Sequence, residues 1–273
     1  MKTIIVPVNF SPCAANAARY SADLARAIHA DLHLIHVLQV PVNSAEPVMT
    51  QYLYKDMVES ADIALKQLQF ELIKHTHNRI KIDISLEAGN VSAKVKDLCR
   101  ELQPYAVVLG AAGPSFKRSQ VGSPIASLLH NLDYPVLVVP ATYTFHSFRR
   151  VLLACDLEDI GSGIPDSLPL LKGLREHFGS RFDIVTVGMQ KVLTENLHVL
   201  DSVGWKTKLK ELYPEIHYVQ GSKVEDGILE YLTHNEADLI MVFPKKHGFL
   251  EFHASQSRKV ARYSPVPVLS LRA

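Results

Sequence analysis

Cysteine is scarce in this chain of 273 residues: Cys13, Cys99 and Cys155 stand far apart, and none belongs to a C-x-x-C pair. An odd, scattered set excludes a disulfide framework, a zinc knuckle and a dithiol redox centre, and it suits reduced thiols. An excess of charge of one sign is missing too. With 29 Lys and Arg against 28 Asp and Glu, the formal net charge is +1, so no long-range field draws the chain to nucleic acid or to an acidic membrane. No apolar run approaches the ~20 residues of a membrane span, and the opening MKTIIVPVN holds too short an apolar run for a signal peptide. The expectation is a cytoplasmic protein with neither nucleic acid nor membrane as a partner. There is no Walker A lysine motif, no G-x-S-x-G elbow and no H-E-x-x-H pair, so no hydrolytic or metal-based catalytic constellation is legible.

What is present is an internal echo. Residues 81–139 and 213–271 align without a gap at an offset of 132. Tyr105-Ala106-Val107-Val108-Leu109 falls on Ala237-Asp238-Leu239-Ile240-Met241, and Pro135-Val136-Leu137 falls on Pro267-Val268-Leu269. Gly110, Gly113 and Gly122 fall on Val242, Lys245 and Ala254, so a glycine-bearing loop has lost its glycines in the copy. The opening strand Ile4-Ile5-Val6-Pro7-Val8 matches Val151-Leu152-Leu153-Ala154-Cys155 at an offset of 147. The copy is therefore 15 residues shorter between its first and third strands, with the loss expected in the second helix.

Ile4-Ile5-Val6-Pro7-Val8 is a short β-branched run without polar interruption, which fits a strand buried on both faces of a parallel sheet. Further strands are expected at residues 32–38, 80–86, 106–109 and 135–139. Helices are expected between them: one capped by Ser11-Pro12, one over 50–75, one over 91–102 and a short one over 122–130. The apolar stripe of the second is Leu53, Met57, Ala61, Ala64, Leu65, Leu68 and Leu72. The alternation implies a doubly wound α/β domain of Rossmann or flavodoxin type. The repeat makes two such five-stranded domains in tandem, over 1–141 and 148–273, joined by a linker at 142–147. Strands in the second are expected at 151–156, 182–187, 216–220, 239–243 and 266–271.

In open α/β sheets ligands bind beyond the carboxyl ends of the strands. Pro7, Val8 and Asn9 lie there after the first strand, and Val37 after the second. Gly110-Ala111-Ala112-Gly113 follows the fourth, then eight residues, then Gly122-Ser123-Pro124. Two glycines three apart let backbone N–H groups approach an anion, and a helix opening at Ser123-Pro124 favours phosphate. The same residues also suit a plain glycine turn before a capped helix. Lys117 and Arg118 sit on the intervening loop. In the second half, Lys245, Lys246 and His247, with Arg258 and Lys259, offer either an anion site or a solvated basic loop. The thirteen histidines show no metal-ligand spacing and read as structural or surface residues.

The chain resembles the universal stress protein family in its tandem two-domain form. The resemblance rests on Val6-Pro7-Val8-Asn9-Phe10-Ser11, on His36-Val37, and above all on Gly110, Gly113, Gly122-Ser123 and Pro135-Val136-Leu137-Val138-Val139. It implies an adenine-nucleotide-hydrolase-like fold. It also implies an adenine nucleotide, ATP or AMP, in the first domain. Pro7, Val8, Asn9 and Val37 would surround adenine and ribose, and Gly110, Ala111, Gly113, Gly122, Ser123 and Pro124 would hold ribose and phosphates. Two features depart from the family pattern: the loop between Gly113 and Gly122 has eight residues rather than nine, and Asn9 replaces an aspartate. An amide brings no charge to a metal ion, so binding without magnesium is the expectation. The second domain looks degenerate and non-binding. By resemblance the domains pair through their fifth strands, with a homodimer and an unidentified protein partner left open. A stress-response regulatory switch follows; a nucleotide-free scaffold and a slow nucleotide hydrolase stay open as alternatives.

Overall fold

The computed structural model describes residues 2–39, 47–111, 127–129, 132–154, 164–188, 212–221, 223–243 and 259–271. Strand β1 (Thr3–Pro7) leads to helix α1 (Pro12–Ile28), β2 (Asp31–Leu38), α2 (Pro47–His75), β3 (Ile82–Ala88), α3 (Val91–Leu102), β4 (Ala106–Ala111) and β5 (Val136–Pro140). These form the first of two compact units, and the chain passes to the second between Phe145 and His146. The strand order is β3-β2-β1-β4-β5, with every pair parallel. This is the doubly wound α/β arrangement.

Why these residues make these elements is local. Ser11 sits in extended backbone and accepts from Ala14 N, and Pro12 follows at the first helical position. α1 ends where His29 turns left-handed and returns its N–H to Ala25. α3 is capped likewise by Asn90 at one end and a left-handed Gln103 at the other. Ile4, Ile5, Val6, Leu32, Leu34, Val107 and Val108 are fully buried; each contributes roughly 1.5–3 kcal/mol over its exposed state. That is why β1 reads as an unbroken apolar run, whereas β2 alternates apolar residues with His33 and His36. α1 contacts α2, whereas α3 packs on β1 and β2.

The second unit has β6 (Arg150–Ala154), α4 (Ile164–Phe178), β7 (Arg181–Gly188), β8 (Glu215–Gln220), α5 (Val224–His234), β9 (Leu239–Val242) and β10 (Val268–Ser270). Its order, β8-β7-β6-β9-β10, is that of the first unit, again all parallel.

Three expectations are corrected. First, the gapless alignment slips at β9. Tyr105 donates its N–H to Thr3, but Asp238, not Ala237, donates to Arg150. Val107 donates to Pro135 and Ile240 to Pro267. The proline pair differs by 132 and the donor pair by 133, so the true counterpart of Gly110 is Phe243. Second, the length difference is not one deletion. Thr3 pairs with Asp31 and Arg150 with Arg181; Leu34 pairs with Ile84 and Ile184 with Ile216. From Asp31 to Arg181 the offset is 150, so the second copy gains three residues before its second strand and loses eighteen after it. Third, α2 buries Ala61, Leu65 and Leu72 but leaves Leu53 and Met57 exposed. A helix of 29 residues outruns the sheet that covers its apolar stripe. Residues 194–211, all that is left in the copy for the second helix, lie outside the described residues. Of the one expected over 122–130, residues 127–129 are described and are helical.

Candidate functional site

The chain moves from β1 outward to β2 and β3, then returns across β1 to β4. The strand order therefore reverses between β1 and β4, where doubly wound sheets open a crevice at their carboxyl edge. Pro7 closes β1, with Val8 and Asn9 just beyond it; Gly110 and Ala111 close β4. Val37 is the penultimate residue of β2. Six of the ten sequence-predicted residues thus stand along one edge. The other four, Gly113, Gly122, Ser123 and Pro124, lie outside the described residues.

Gly110 sets the floor of the crevice. A β-carbon built on it would stand 2.2 Å from the Cys13 carbonyl oxygen and 3.1 Å from Ala14 N. Only a residue without a side chain lets β4 run so close beneath the first turn of α1. Phe243, in the same register position of the second unit, is a buried aromatic.

Beyond β1 the backbone is held by side chains. Val8 N–H donates to Ile35 O at 2.8 Å, and Val8 O lies 2.6 Å from His36 Nδ1. A carbonyl only accepts, so Nδ1 carries a proton and donates it to Val8 O. Asn9 Oδ1 accepts from Ser11 N at 3.2 Å and from Ser11 Oγ at 2.7 Å. Ser11 Oγ in turn accepts from Ala14 N at 3.3 Å and lies 3.1 Å from Cys13 Sγ. A backbone N–H can only donate, so the oxygen of the Asn9 amide faces α1 and its NH2 is the group presented outward. The edge therefore offers neutral donors and the positive end of a helix, whose first turn holds no acidic residue. A hydroxyl-rich or anionic ligand suits that set; a cation at Asn9 does not.

Two participants escaped the sequence-predicted list. Phe10 has φ +60°, an uncommon conformation for a bulky residue that clusters at functional sites. The residue is 38% exposed, and its ring lies 4.5 Å from the His36 ring at 35°. Both residues stand in the motifs that carry the resemblance, Val6-Pro7-Val8-Asn9-Phe10-Ser11 and His36-Val37, which single out neither. No periodic signal marks Phe10; its neighbour Asn9, which favours turns, was the one hint.

Elsewhere, Lys259 is engaged by Asp226 at 2.7 Å and Glu225 at 3.3 Å, which removes it from the basic set considered for an anion. His75 pairs with Asp23 at 2.9 Å. No described helix is long and apolar enough to cross a membrane.

With this geometry, similarity to known proteins can be placed on it. The model of the universal stress protein family matches residues 1–140. A universal stress protein of Mycobacterium tuberculosis is 28% identical over 204 residues, covering 67% of this chain and 69% of its own. Universal stress protein G of Escherichia coli is 28% identical over 145 residues, 50% of this chain and 98% of its own. Among solved structures, a universal stress protein from Archaeoglobus fulgidus superimposes with a TM-score of 0.76 at 19% identity, covering 99% of this chain and 98% of its own.

Proposed function

The chain belongs to the universal stress protein family, and from that premise we propose that it is a regulatory stress-response protein that binds one adenine nucleotide at the carboxyl edge of its first unit. The observation that carries this reading is the approach of Gly110 to the Cys13 carbonyl. It draws the carboxyl end of β4 directly against the first turn of α1, so that the end of β4 and the start of the helix border one switch point, over which a ligand would lie. A fit to adenine nucleotide follows from the donors available. The Asn9 amide would donate to a ribose hydroxyl, and backbone at Val8 and Val37 would border the base. The helix dipole of α1 and the loop from Gly110 through Ala111, Gly113, Gly122, Ser123 and Pro124 would meet the phosphates.

A metal ion does not fit at Asn9, because its oxygen is already shared by two donors from Ser11. Binding is therefore independent of magnesium, and a species with few phosphates, such as AMP, is favoured over ATP. The second unit binds none, since Phe243 stands where Gly110 stands in the first. The sequence carries no Walker A lysine motif and no G-x-S-x-G elbow, so in this reading the nucleotide acts by biasing conformation rather than as a substrate. Asn9 and Ser11, linked to each other and to α1, are the residues through which its presence would be felt.

The experiment is to denature the protein as purified and identify the small molecules released. Recovery of AMP, ADP or ATP near one per chain, reduced in Asn9→Ala, is the expected result. An empty protein that also shows no thermal shift with millimolar adenine nucleotides would assign it to a nucleotide-free scaffold instead.

A further inference from the structure

At the amino end of β7 and β8, on the second unit and away from any carboxyl edge, three metal-ligating side chains converge. Asp183 pairs in register with Glu215, and Val185 with His217; residues two apart share a sheet face. One oxygen of each carboxylate and Nε2 of His217 all lie within 4.8 Å of one another. His217 Nε2 stands 3.8 Å from Asp183 Oδ1 and 3.9 Å from Glu215 Oε2, too far for hydrogen bonds. That nitrogen is buried without a hydrogen-bond partner.

A second observation points the same way. Tyr231, 9% exposed, lays its ring 5.2 Å from that of His217, and its hydroxyl is also buried without a partner. The first unit settles the equivalent place differently. His33, Asp83 and Ser85 hold the register positions of Asp183, Glu215 and His217, and His33 Nε2 meets Ser85 Oγ directly at 2.9 Å. There a hydrogen bond closes the gap. In the second unit two carboxylates and an imidazole face one another across it.

We propose that Asp183, Glu215 and His217 form a binding site for a divalent transition-metal ion, with zinc the best match. Two donors each held about 2.1 Å from one ion stand at most about 4.2 Å apart, and the separations of His217 from both carboxylates meet that limit. An imidazole among the ligands selects against calcium and magnesium. Arg150 does not compete for the ion's oxygen: its Nη2 takes Asp183 Oδ2 at 3.2 Å, leaving Oδ1 toward His217. It thus orients the ligand as outer-shell partners commonly do. The Tyr231 hydroxyl, buried without a partner on a ring that packs against His217, would be a partner for a metal-bound water at the fourth position. Glu215, 80% exposed at its side chain, provides the entry path. The ion would tie β8, the outermost strand of its unit's sheet, to β7, and so make the hold on an edge strand responsive to free zinc.

The test uses the full chain, stripped with EDTA and dialysed. Cobalt(II) is added as a visible probe and zinc(II) as the competitor, for the wild type, Glu215→Gln and His217→Ala. The site predicts one cobalt per chain with visible d–d absorption, displaced by one equivalent of zinc. It also predicts a rise in melting temperature with zinc. Glu215→Gln should weaken binding by about tenfold or more, and His217→Ala should abolish both the spectrum and the thermal response. Glu215 is exposed, so its conservative variant reports on binding rather than folding, and far-UV circular dichroism checks both. No cobalt spectrum in the wild type, or uptake unchanged in both variants, overturns the proposal; the latter places the ion on other histidines among the thirteen.

Discussion

Gly110 and Cys13 touch through their backbones: a β-carbon at position 110 would come within 2.6 Å of the Cys13 carbonyl carbon and 2.2 Å of its oxygen. Neither neighbour is a flexible side chain that can swing away. Gly110→Ala must therefore push β4 and α1 apart, at a cost of about 1–3 kcal/mol, as overpacking usually does. Gly173, in α4, is the control, because a β-carbon there meets nothing within 4 Å. Gly173→Ala should stabilise by roughly 0.5–1 kcal/mol through helix propensity. Calorimetric melting of both variants checks the pair; a Gly110→Ala protein as stable as the wild type contradicts the close approach.

The orientation of Asn9 makes a second prediction. With Oδ1 bound to Ser11, nucleotide affinity in the wild type should not change between EDTA and excess magnesium. In Asn9→Asp one carboxylate oxygen still serves Ser11 and the other becomes a free anion, so magnesium should then strengthen triphosphate binding. Titrations with and without chelator read this directly, and a wild-type affinity that falls on chelation contradicts the assignment of the amide.

His33 makes stability depend on pH. Burial is the largest cause lowering its pKa below the ordinary 6.5, partly opposed by Asp83 and Glu101 and reinforced by Lys81. The unfolded chain then holds the proton more tightly than the folded one, so the His33 contribution is complete above pH 6.5 and is lost as pH falls below it. His33→Gln removes that titration. The stability difference between wild type and variant should narrow on going from about pH 8 to about pH 5.5. A gap that is constant or widens over that range contradicts the sign.

Cys99 is fully buried, and that burial pushes its thiol up to about 12. The thiolate is the reactive form, so iodoacetamide at neutral pH should leave Cys99 unmodified in the native protein and label it after denaturation. Cys13 is only half-buried and should be labelled first of the two. Peptide mapping by mass spectrometry distinguishes them; native labelling of Cys99 ahead of Cys13 counts against the packing of α3 on the sheet.

The strands were legible in the sequence because burial on both faces leaves an unbroken apolar run, as at Ile4-Ile5-Val6, and caps such as Ser11-Pro12 are local signals. The carboxyl-edge positions of Pro7, Val8, Asn9, Val37, Gly110 and Ala111 followed from strand ends alone. What escaped was long-range or one-residue in scale. Phe243 as the counterpart of Gly110 is set by hydrogen-bond register, which a gapless alignment cannot see. Asp183 and His217 lie on neighbouring strands 34 residues apart in number, so no spacing motif joins them. The exposure of Leu53 and Met57 depends on where the sheet ends, not on the period of the helix.

The central claim is a single adenine nucleotide per chain, held by the first unit. Calorimetric titration of the nucleotide-free, full-length protein with AMP tests it most directly, because the stoichiometry separates the two units. The account predicts one site per chain, unchanged in Phe243→Leu and weakened in Asn9→Ala. A stoichiometry of two would contradict the exclusion argued from Phe243. Absence of binding by AMP, ADP and ATP alike would contradict the nucleotide site itself.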